Sequence, residues 1–334
     1  MRHITISDLA QRLKLSPSTV SRALRDHPDI SKKTKDRVRA IAAKTHYQPN
    51  LIAQSLQTRR SNNIGVIVPE IRNTFFATVI SGIEDLAYES GFTIMVCQSN
   101  DRFERETINA RALAANRVAG MLVSTSQETT EFKHLQQVLR QGIPMVLFDR
   151  VIEELNVPLV VVDDFEGAYR AVTHLIETGR TRIAHLTGAA PLYVCRMRRA
   201  GYEAALRDHG LPVRPEYIIA GGYHEEDGRR GAEQLLALDQ LVDGVFAIND
   251  PVALGAMLHF QDKQVKIPEQ IGLVGFSDNP NASLVRPALT TVHQPAYEMG
   301  QKAAALLIDI MAGNAPRKPS TITLKTRLVI RGST

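Results

Sequence analysis

The chain has 334 residues, 44% of them hydrophobic and 22% charged, an ordinary globular composition long enough for two or three domains. No apolar run approaches the roughly 18 residues that a membrane helix needs, and the N-terminal MRHITISDLAQRL has no apolar signal core, so a cytoplasmic protein with no membrane partner is expected. The net charge of +5 is unevenly placed: residues 1–60 hold 13 Lys/Arg against 4 Asp/Glu and the remainder 27 against 31, which puts a basic, polyanion-binding end on a mildly acidic body.

In chain order, Ile6, Leu9, Ala10 and Leu13 repeat at helical spacing, and Thr5 with Asp8 three residues on makes a capping box. Lys14 and Leu15 form a short turn. Ser16 suits an N-cap and Pro17 the first helical position, where its missing N–H costs nothing. Val20, Ala23 and Leu24 give this second helix one apolar face. After the loop DHPDI, Ser31 caps a third helix with Val38, Ile41 and Ala42 inward and Lys32, Lys33, Lys35, Arg37 and Arg39 in water.

Three short helices with a tight first turn make a helix-turn-helix unit. Its second helix carries Pro17, Ser18 and Ser21, with Arg22 one turn along. Small hydroxyl residues let a helix lie deep in the major groove, and an arginine there reaches guanine O6 and N7 with two hydrogen bonds. In YQPNLIAQSLQTRRS (47–61), Pro49 stops the third helix and Asn50 caps a segment of only about two turns. A helix that short is marginal alone and suits a linker that folds on its target, with Leu56 a wedge for the minor groove.

Read together, ITISDLAQRLKLSPSTVSRALR, ISKKTKDRV and YQPNLIAQSL resemble the lactose repressor (LacI/GalR) family of bacterial transcription regulators. Thr19-Val20-Ser21-Arg22 match the recognition-helix pattern, and Tyr47, Pro49, Asn50, Ala53 and Leu56 match the hinge pattern. Arg25 departs from the asparagine common there. The resemblance implies base contacts by Pro17, Ser18, Arg22 and the intercalating Leu56. It implies phosphate contacts by Thr5, Ser16, Thr19, Ser21, Ser31 and Thr34, with Asn50 and Ala53 of the hinge. Pro17 has no side-chain donor or acceptor, so readout there would be by apolar contact.

From residue 62 on, apolar runs alternate with helical patterns. IGVIVP (64–69), TIMVCQS (93–99), GMLVST (120–125), PMVLFD (144–149) and PLVVVDD (158–164) read as one set of buried strands. RIAHLTG (182–188), YIIAGG (217–222), GVFAIND (244–250) and IGLVGFSD (271–278) form a second, and STITLKTRLVI reads as one further strand. Such alternation makes parallel sheets covered on both faces, here two doubly wound lobes of an α/β fold. Ligands then sit at the carboxyl ends of the strands.

The residues at those ends are Asn73, Phe75, Phe76, Asp101, Asp149, Asn249, Asp250, Ser277 and Asp278, with Arg198 at a helix start and Tyr223 after YIIAGG. Carboxylates, amides, an arginine and aromatic faces suit a polyhydroxylated or heterocyclic small molecule. Asp164 reads as structural, and Arg196 and Arg199 as solvent-facing. RRAGYEAAL, AINDPVALGAM, VGFSDN and PALTTVHQP extend the resemblance to the family's effector domain, itself similar to periplasmic sugar-binding proteins. That likeness implies effector contacts at Asp149, Arg198, Tyr223, Asn249 and Ser277, stacking by Phe75 and Phe76, and a place for Asn73 beside them. Ser277 stands where the family usually has an aspartate that grips sugar hydroxyls, which leaves the sugar's identity open; a sugar or sugar derivative leads by family habit, with a sugar acid or a purine also open.

The resemblance further implies a helix-turn-helix domain at 1–47 and a hinge at 48–61. An effector and dimerisation domain would fill 62–334, with one lobe at about 62–161 and 292–321 and the other at about 162–291 and 322–334. A single helix-turn-helix reaches half a palindrome, so a homodimer on operator DNA is expected. With no apolar heptad tail before Thr334, a tetramer is not. No GxGxxG, GxxxxGK[ST] or GxSxG is present, and His174, His185, His224 and His259 form no metal spacing, so neither an enzyme nor a cofactor or metal site is expected. Cys97 and Cys195 are far apart and read as buried free thiols.

Overall fold

The computed structural model describes residues 4–24, 26–45, 47, 61–188, 192–314 and 318–334. The chain divides into two compact units, Met1–Ser61 and Asn62–Thr334.

The first unit has three helices, α1 (Ile6–Leu13), α2 (Pro17–Leu24) and α3 (Lys32–Lys44). The capping box at Thr5 forms: its hydroxyl accepts from the Asp8 N–H at 3.3 Å, and its own N–H donates to Asp8 Oδ2 at 2.8 Å. Lys14 closes α1 in the left-handed region at φ 53°. Ser16 Oγ accepts from the Thr19 N–H at 3.1 Å and Ser31 Oγ from the Thr34 N–H at 3.3 Å, so both later helices start on a serine. Leu9, Ala10, Leu13, Val20, Ala23 and Val38 are buried together. Leu24, Ile41 and Ala42, expected inward, are half-buried at the edge of that core.

Three basic residues of α3 depart from the expectation of free solvation. Asp26 takes ion pairs from Lys35 at 3.1 Å and Arg39 at 2.9 Å, and Arg37 donates to the Leu13 carbonyl at 3.3 Å. The Lys35 hydrogen bond and the two positive charges hold the Asp26 carboxyl below its usual range. This one acid ties the loop after α2 to α3. Arg25, Pro49 and the hinge residues Asn50, Ala53 and Leu56 lie outside the described residues.

The second unit is built on two six-stranded sheets. The first contains β1 (Asn63–Val68), β2 (Thr93–Gln98), β3 (Gly120–Val123), β4 (Met145–Phe148), β5 (Leu159–Val162) and β11 (Thr321–Leu324), in the order β11-β5-β4-β3-β1-β2. The second contains β6 (Ile183–Thr187), β7 (Ile218–Ala220), β8 (Gly244–Ala247), β9 (Gly272–Ser277), β10 (Thr290–His293) and β12 (Arg327–Val329), in the order β12-β10-β9-β8-β6-β7. Every pairing is parallel except β10 with β12. STITLKTRLVI is therefore two strands in different sheets, because the chain leaves the β5 edge after Leu324 and joins β10 from Arg327. β10 escaped the sequence reading: four residues with a central valine carry too little periodicity to mark a strand.

The helices cover both sheets: α4 (Thr74–Glu89), α5 (Phe103–Ala115), α6 (Lys133–Arg140) and α12 (Ala296–Met311) pack with the first, and α7 (Asp164–Glu177), α8 (Tyr193–Asp208), α9 (Glu225–Leu236) and α10 (Asp250–Asp262) with the second. The one-turn α11 (Asn281–Leu284) follows β9. The chain passes between lobes three times, after β5, β10 and β11. Helix α12 returns to pack along α4, and they approach so closely that a Cβ on Gly82 would strike the Tyr297 carbonyl, and one on Gly300 the Val79 carbonyl. Among the described residues, no helix is long and apolar enough to cross a membrane, and no group of three His, Cys, Asp or Glu is placed to hold a metal. Both cysteines are free; Cys195 is buried, but Cys97, on strand β2 at the sheet edge, is only half so.

Gly82→Ala forces α4 and α12 apart where backbone meets backbone. It should lower stability by about 1–3 kcal/mol, measured by urea unfolding of the full chain. An unchanged midpoint would show that the helix pair yields freely.

Candidate DNA-binding and effector sites

In the first unit, Ser16, Pro17, Ser18 and Arg22 are exposed, and Thr19 and Ser21 half-buried. The hydroxyls are not idle. Ser16 Oγ lies 2.8 Å from both Ser18 Oγ and Thr19 Oγ1, Ser31 Oγ lies 2.9 Å from Thr34 Oγ1, and Thr5 Oγ1 donates to Asp8 at 2.8 Å. Arg22 makes no hydrogen bond or ion pair among the described residues, so its guanidinium stands free at the end of the serine-capped helix. Helix N-termini of this kind favour phosphate.

In the second unit, Asn73, Phe75, Phe76, Asp149, Arg198, Tyr223, Asn249 and Ser277 all line one chamber, with Arg150, Val194 and Gln294 beside them. The chamber lies between the strand ends of both lobes and has a cavity volume of about 30 Å³. Asn73 and Tyr223 also line a wider mouth of about 350 Å³, with Glu70, Arg72, His224 and Asn279 around it. Two polar contacts bridge the lobes: His224 Nδ1 lies 3.6 Å from Glu70, and Arg196 Nη2 pairs with Glu153 at 3.0 Å. Arg196 is thus a surface residue, as is Arg199, which pairs with Glu203 at 2.8 Å.

Most chamber groups are held by the framework. Asn73 caps α4, accepting from the Phe75 N–H at 3.0 Å, and this turn sets Phe75 and Phe76 edge to face at 5.2 Å. Asn249 caps α10, accepting from the Val252 N–H at 2.9 Å while its amide donates to the Tyr223 carbonyl at 3.0 Å. Tyr223 Oη lies 2.8 Å from Cys195 Sγ. Arg198 is buried; it donates from Nε to Asp164 at 2.8 Å and from Nη1 to the Ile248 carbonyl at 2.5 Å, and stands 3.7 Å above the Phe276 ring. Ser277 donates to Gln294 Oε1 at 2.9 Å.

Two groups are left over. Asp149 is buried with no side-chain hydrogen bond among the described residues; burial pushes its carboxyl pKa up, against the pull of Arg150 and Arg198. Gln294 Nε2 is buried and lacks a hydrogen-bond partner among the described residues. The backbone has positive φ at Asp101, Asp149, Ser277 and Asp278, all at or just past strand ends, and such strain in non-glycine residues gathers at functional sites.

The other strand-end acids are already engaged by protein partners. Asp101 pairs with Arg150 and accepts from the Gln127 N–H at 3.0 Å. Asp278 pairs with Arg331 at 2.6 Å and His293 at 3.1 Å. Asp250 accepts from Thr291 Oγ1 at 2.5 Å and the Asn279 N–H at 2.6 Å. Asp164 serves Arg198; burial lifts its pKa to about 6. His185, one of the four histidines weighed as ligands, is stacked in the core 4.8 Å from Phe246, and burial lowers its pKa to about 4. The sequence reading missed Arg150 and Gln294. Arg150 directly follows Asp149, so the strand-end rule reaches it; Gln294 follows the unrecognised β10.

A basic helix-turn-helix unit joined to a two-lobed, doubly wound unit with a chamber at its strand ends defines a DNA-binding protein that carries a small-molecule-binding type of domain. Residues 5–50 match the model for bacterial regulatory proteins of the lacI family, and residues 172–334 that for a periplasmic binding protein-like domain. The chain is 34% identical over 330 residues to the HTH-type transcriptional repressor CytR of Escherichia coli strain K12, covering 99% of this chain and 96% of that protein. It is 32% identical over 330 residues to the ribose operon repressor of Halalkalibacterium halodurans, covering 99% and 97%. Among solved structures, the lac repressor dimer bound to operator and the anti-inducer ONPF superposes with a TM-score of 0.88 at 25% identity, covering 100% of this chain and 99% of that one. The chain belongs to the lacI family of bacterial regulatory proteins: it is a DNA-binding transcription regulator and not an enzyme.

Burial lifts the Asp250 carboxyl from 3.8 to about 6, against the bonds from Thr291 and Asn279. Between those values the folded chain holds a proton that the unfolded chain has released. Stability from this source is present below about pH 4 and lost as pH rises through about 6. Urea unfolding of wild type and Asp250→Asn should therefore shift in the variant's favour by roughly 3 kcal/mol between pH 4 and pH 7, at about 1.4 kcal/mol for each pH unit. A gap independent of pH would mean that Asp250 ionises as an ordinary carboxylate.

Proposed function

We propose that this regulator is a repressor that binds a palindromic operator as a homodimer and responds to a small molecule in the chamber between its lobes. The observation that carries the reading is the convergence of eight side chains from both lobes on one chamber, with the buried Asp149 side chain and the Nε2 group of Gln294 unspent. An acceptor and a donor between the aromatic walls Phe75, Phe76 and Tyr223 suit a polyhydroxylated ring, so a sugar or sugar derivative leads, with a sugar acid or a purine next. The relative that regulates a ribose operon supports the same class.

On DNA, Arg22 reads guanine, Pro17 and Ser18 meet neighbouring bases, and Leu56 wedges the central step. Thr5, Ser16, Thr19, Ser21, Ser31 and Thr34, with Asn50 and Ala53, position the phosphates. Effector binding changes how the lobes close and so shifts the balance between DNA-competent and released states; this requires different effector affinities for the two.

Arg22→Ala should cost roughly 1–3 kcal/mol on the operator and relax preference at one base position, read by competition binding at fixed salt. Equal weakening on every sequence would make Arg22 a phosphate contact instead. The reading as a whole is tested by titrating the labelled operator complex with sugars, sugar acids and purines. One compound should release the DNA or tighten it, and Asp149→Asn should abolish that response while keeping operator affinity. Operator binding indifferent to every compound that enters the chamber would overturn it.

A further inference from the structure

The chamber is already occupied by one of the protein's own side chains. Arg150, at the end of β4 in the first lobe, is 5% exposed and anchored by its ion pair with Asp101. Its guanidinium carbon lies 4.2 Å from the ring centre of Tyr223, which belongs to the second lobe, and 5.7 Å from that of Phe76 in the first. A planar cation thus fills the space between the two aromatic walls, where it is favoured by the electron-rich ring faces. What remains is about 30 Å³. That is roughly one water's share of liquid volume, against the roughly 300–1,000 Å³ of ligand pockets in general. On the face that Arg150 covers, a sugar or purine ring stacks on Tyr223 only after the guanidinium has left.

We propose that Arg150 is a built-in occupant of the chamber: in the unliganded protein its guanidinium bridges the lobes by lying on Tyr223, and a ring-bearing effector binds by displacing it. The proposal rests on the reading of the chamber as the effector site, but its test needs no effector. With Arg150 seated, the lobes close without a ligand. The effector then replaces one closing contact with another, and its apparent affinity is reduced by the fraction of molecules in which Arg150 holds the slot. The contact also fixes specificity. A ligand must offer a flat face to Tyr223 and leave Asp101 paired, because an uncompensated buried carboxylate is strongly unfavourable.

Cys195 provides the readout. It is 2% exposed, and its thiol lies 2.8 Å from the hydroxyl of the Tyr223 ring that Arg150 holds down, so release of that ring uncovers it. In full-length protein carrying Cys97→Ser, the rate of Cys195 labelling by a thiol reagent reports how often Tyr223 is released. Arg150→Ala should raise that rate at least tenfold. Millimolar methylguanidinium should return it towards the wild-type value by refilling the slot, while leaving wild type unchanged. The double variant Asp101→Asn with Arg150→Gln, which removes both charges and leaves no unpaired carboxylate, should show the same acceleration with an unchanged circular dichroism spectrum. Labelling as slow in the double variant as in wild type would overturn the proposal. So would an Arg150→Ala rate that methylguanidinium does not lower, since that marks general loosening. Neither outcome bears on whether the chamber binds an effector, which the operator titration decides.

Discussion

Arg198 is the interaction on which the larger unit depends. Its guanidinium gathers the Asp164 carboxylate at the start of α7, the Ile248 carbonyl past the end of β8, and the face of Phe276 in β9. Asp164 sits where the chain has just left the first lobe after β5, so one side chain ties that crossing to two strand ends of the second sheet. A buried charge is tolerated only when paired and hydrogen-bonded, and here both conditions are met on every side. The chamber geometry follows, because Asn249 lies next to Ile248 and Ser277 next to Phe276.

This arrangement explains why so few chamber groups are unspent. Asn73 and Asn249 are helix caps, Ser277 is bound to Gln294, and Arg198 is committed to the framework. A ligand entering the chamber would meet groups whose rotamers are fixed by other duties, which is the rigidity a selective site requires. The same economy appears in the small unit, where the serine and threonine hydroxyls cap helices and the exposed guanidinium of Arg22 stands apart.

Much of this was legible in the sequence because local chemistry and tertiary role coincide. Thr5, Ser16 and Ser31 are caps by residue type and caps in fact, and the apolar runs from IGVIVP to IGLVGFSD lie in the two sheets. The eight chamber residues were reachable because ligands gather at the carboxyl ends of parallel strands. What stayed hidden is non-local. Nothing in STITLKTRLVI tells that Leu324 and Arg327 belong to different sheets; hydrogen bonding to strands about 160 and 40 residues back decides it. The pairing of Asp101 with Arg150 joins residues 49 apart, and the ion pairs of Lys35 and Arg39 with Asp26 likewise turn on how a loop folds back.

The order in which the chain visits its lobes also governs how it is made. The first lobe owes its edge strand to Thr321–Leu324 and the helix beside α4 to Ala296–Met311, both drawn from beyond the second lobe's first five strands. A growing polypeptide on the ribosome therefore holds β1 to β5 unfinished, their apolar edge uncovered, while more than a hundred further residues are added. The three-helix unit, a compact unit of its own within residues 1–61, has been synthesised long before. Translation thus delivers a DNA-reading head ahead of the body that controls it, and the late-closing sheet edge is where a folding chaperone has most to shield.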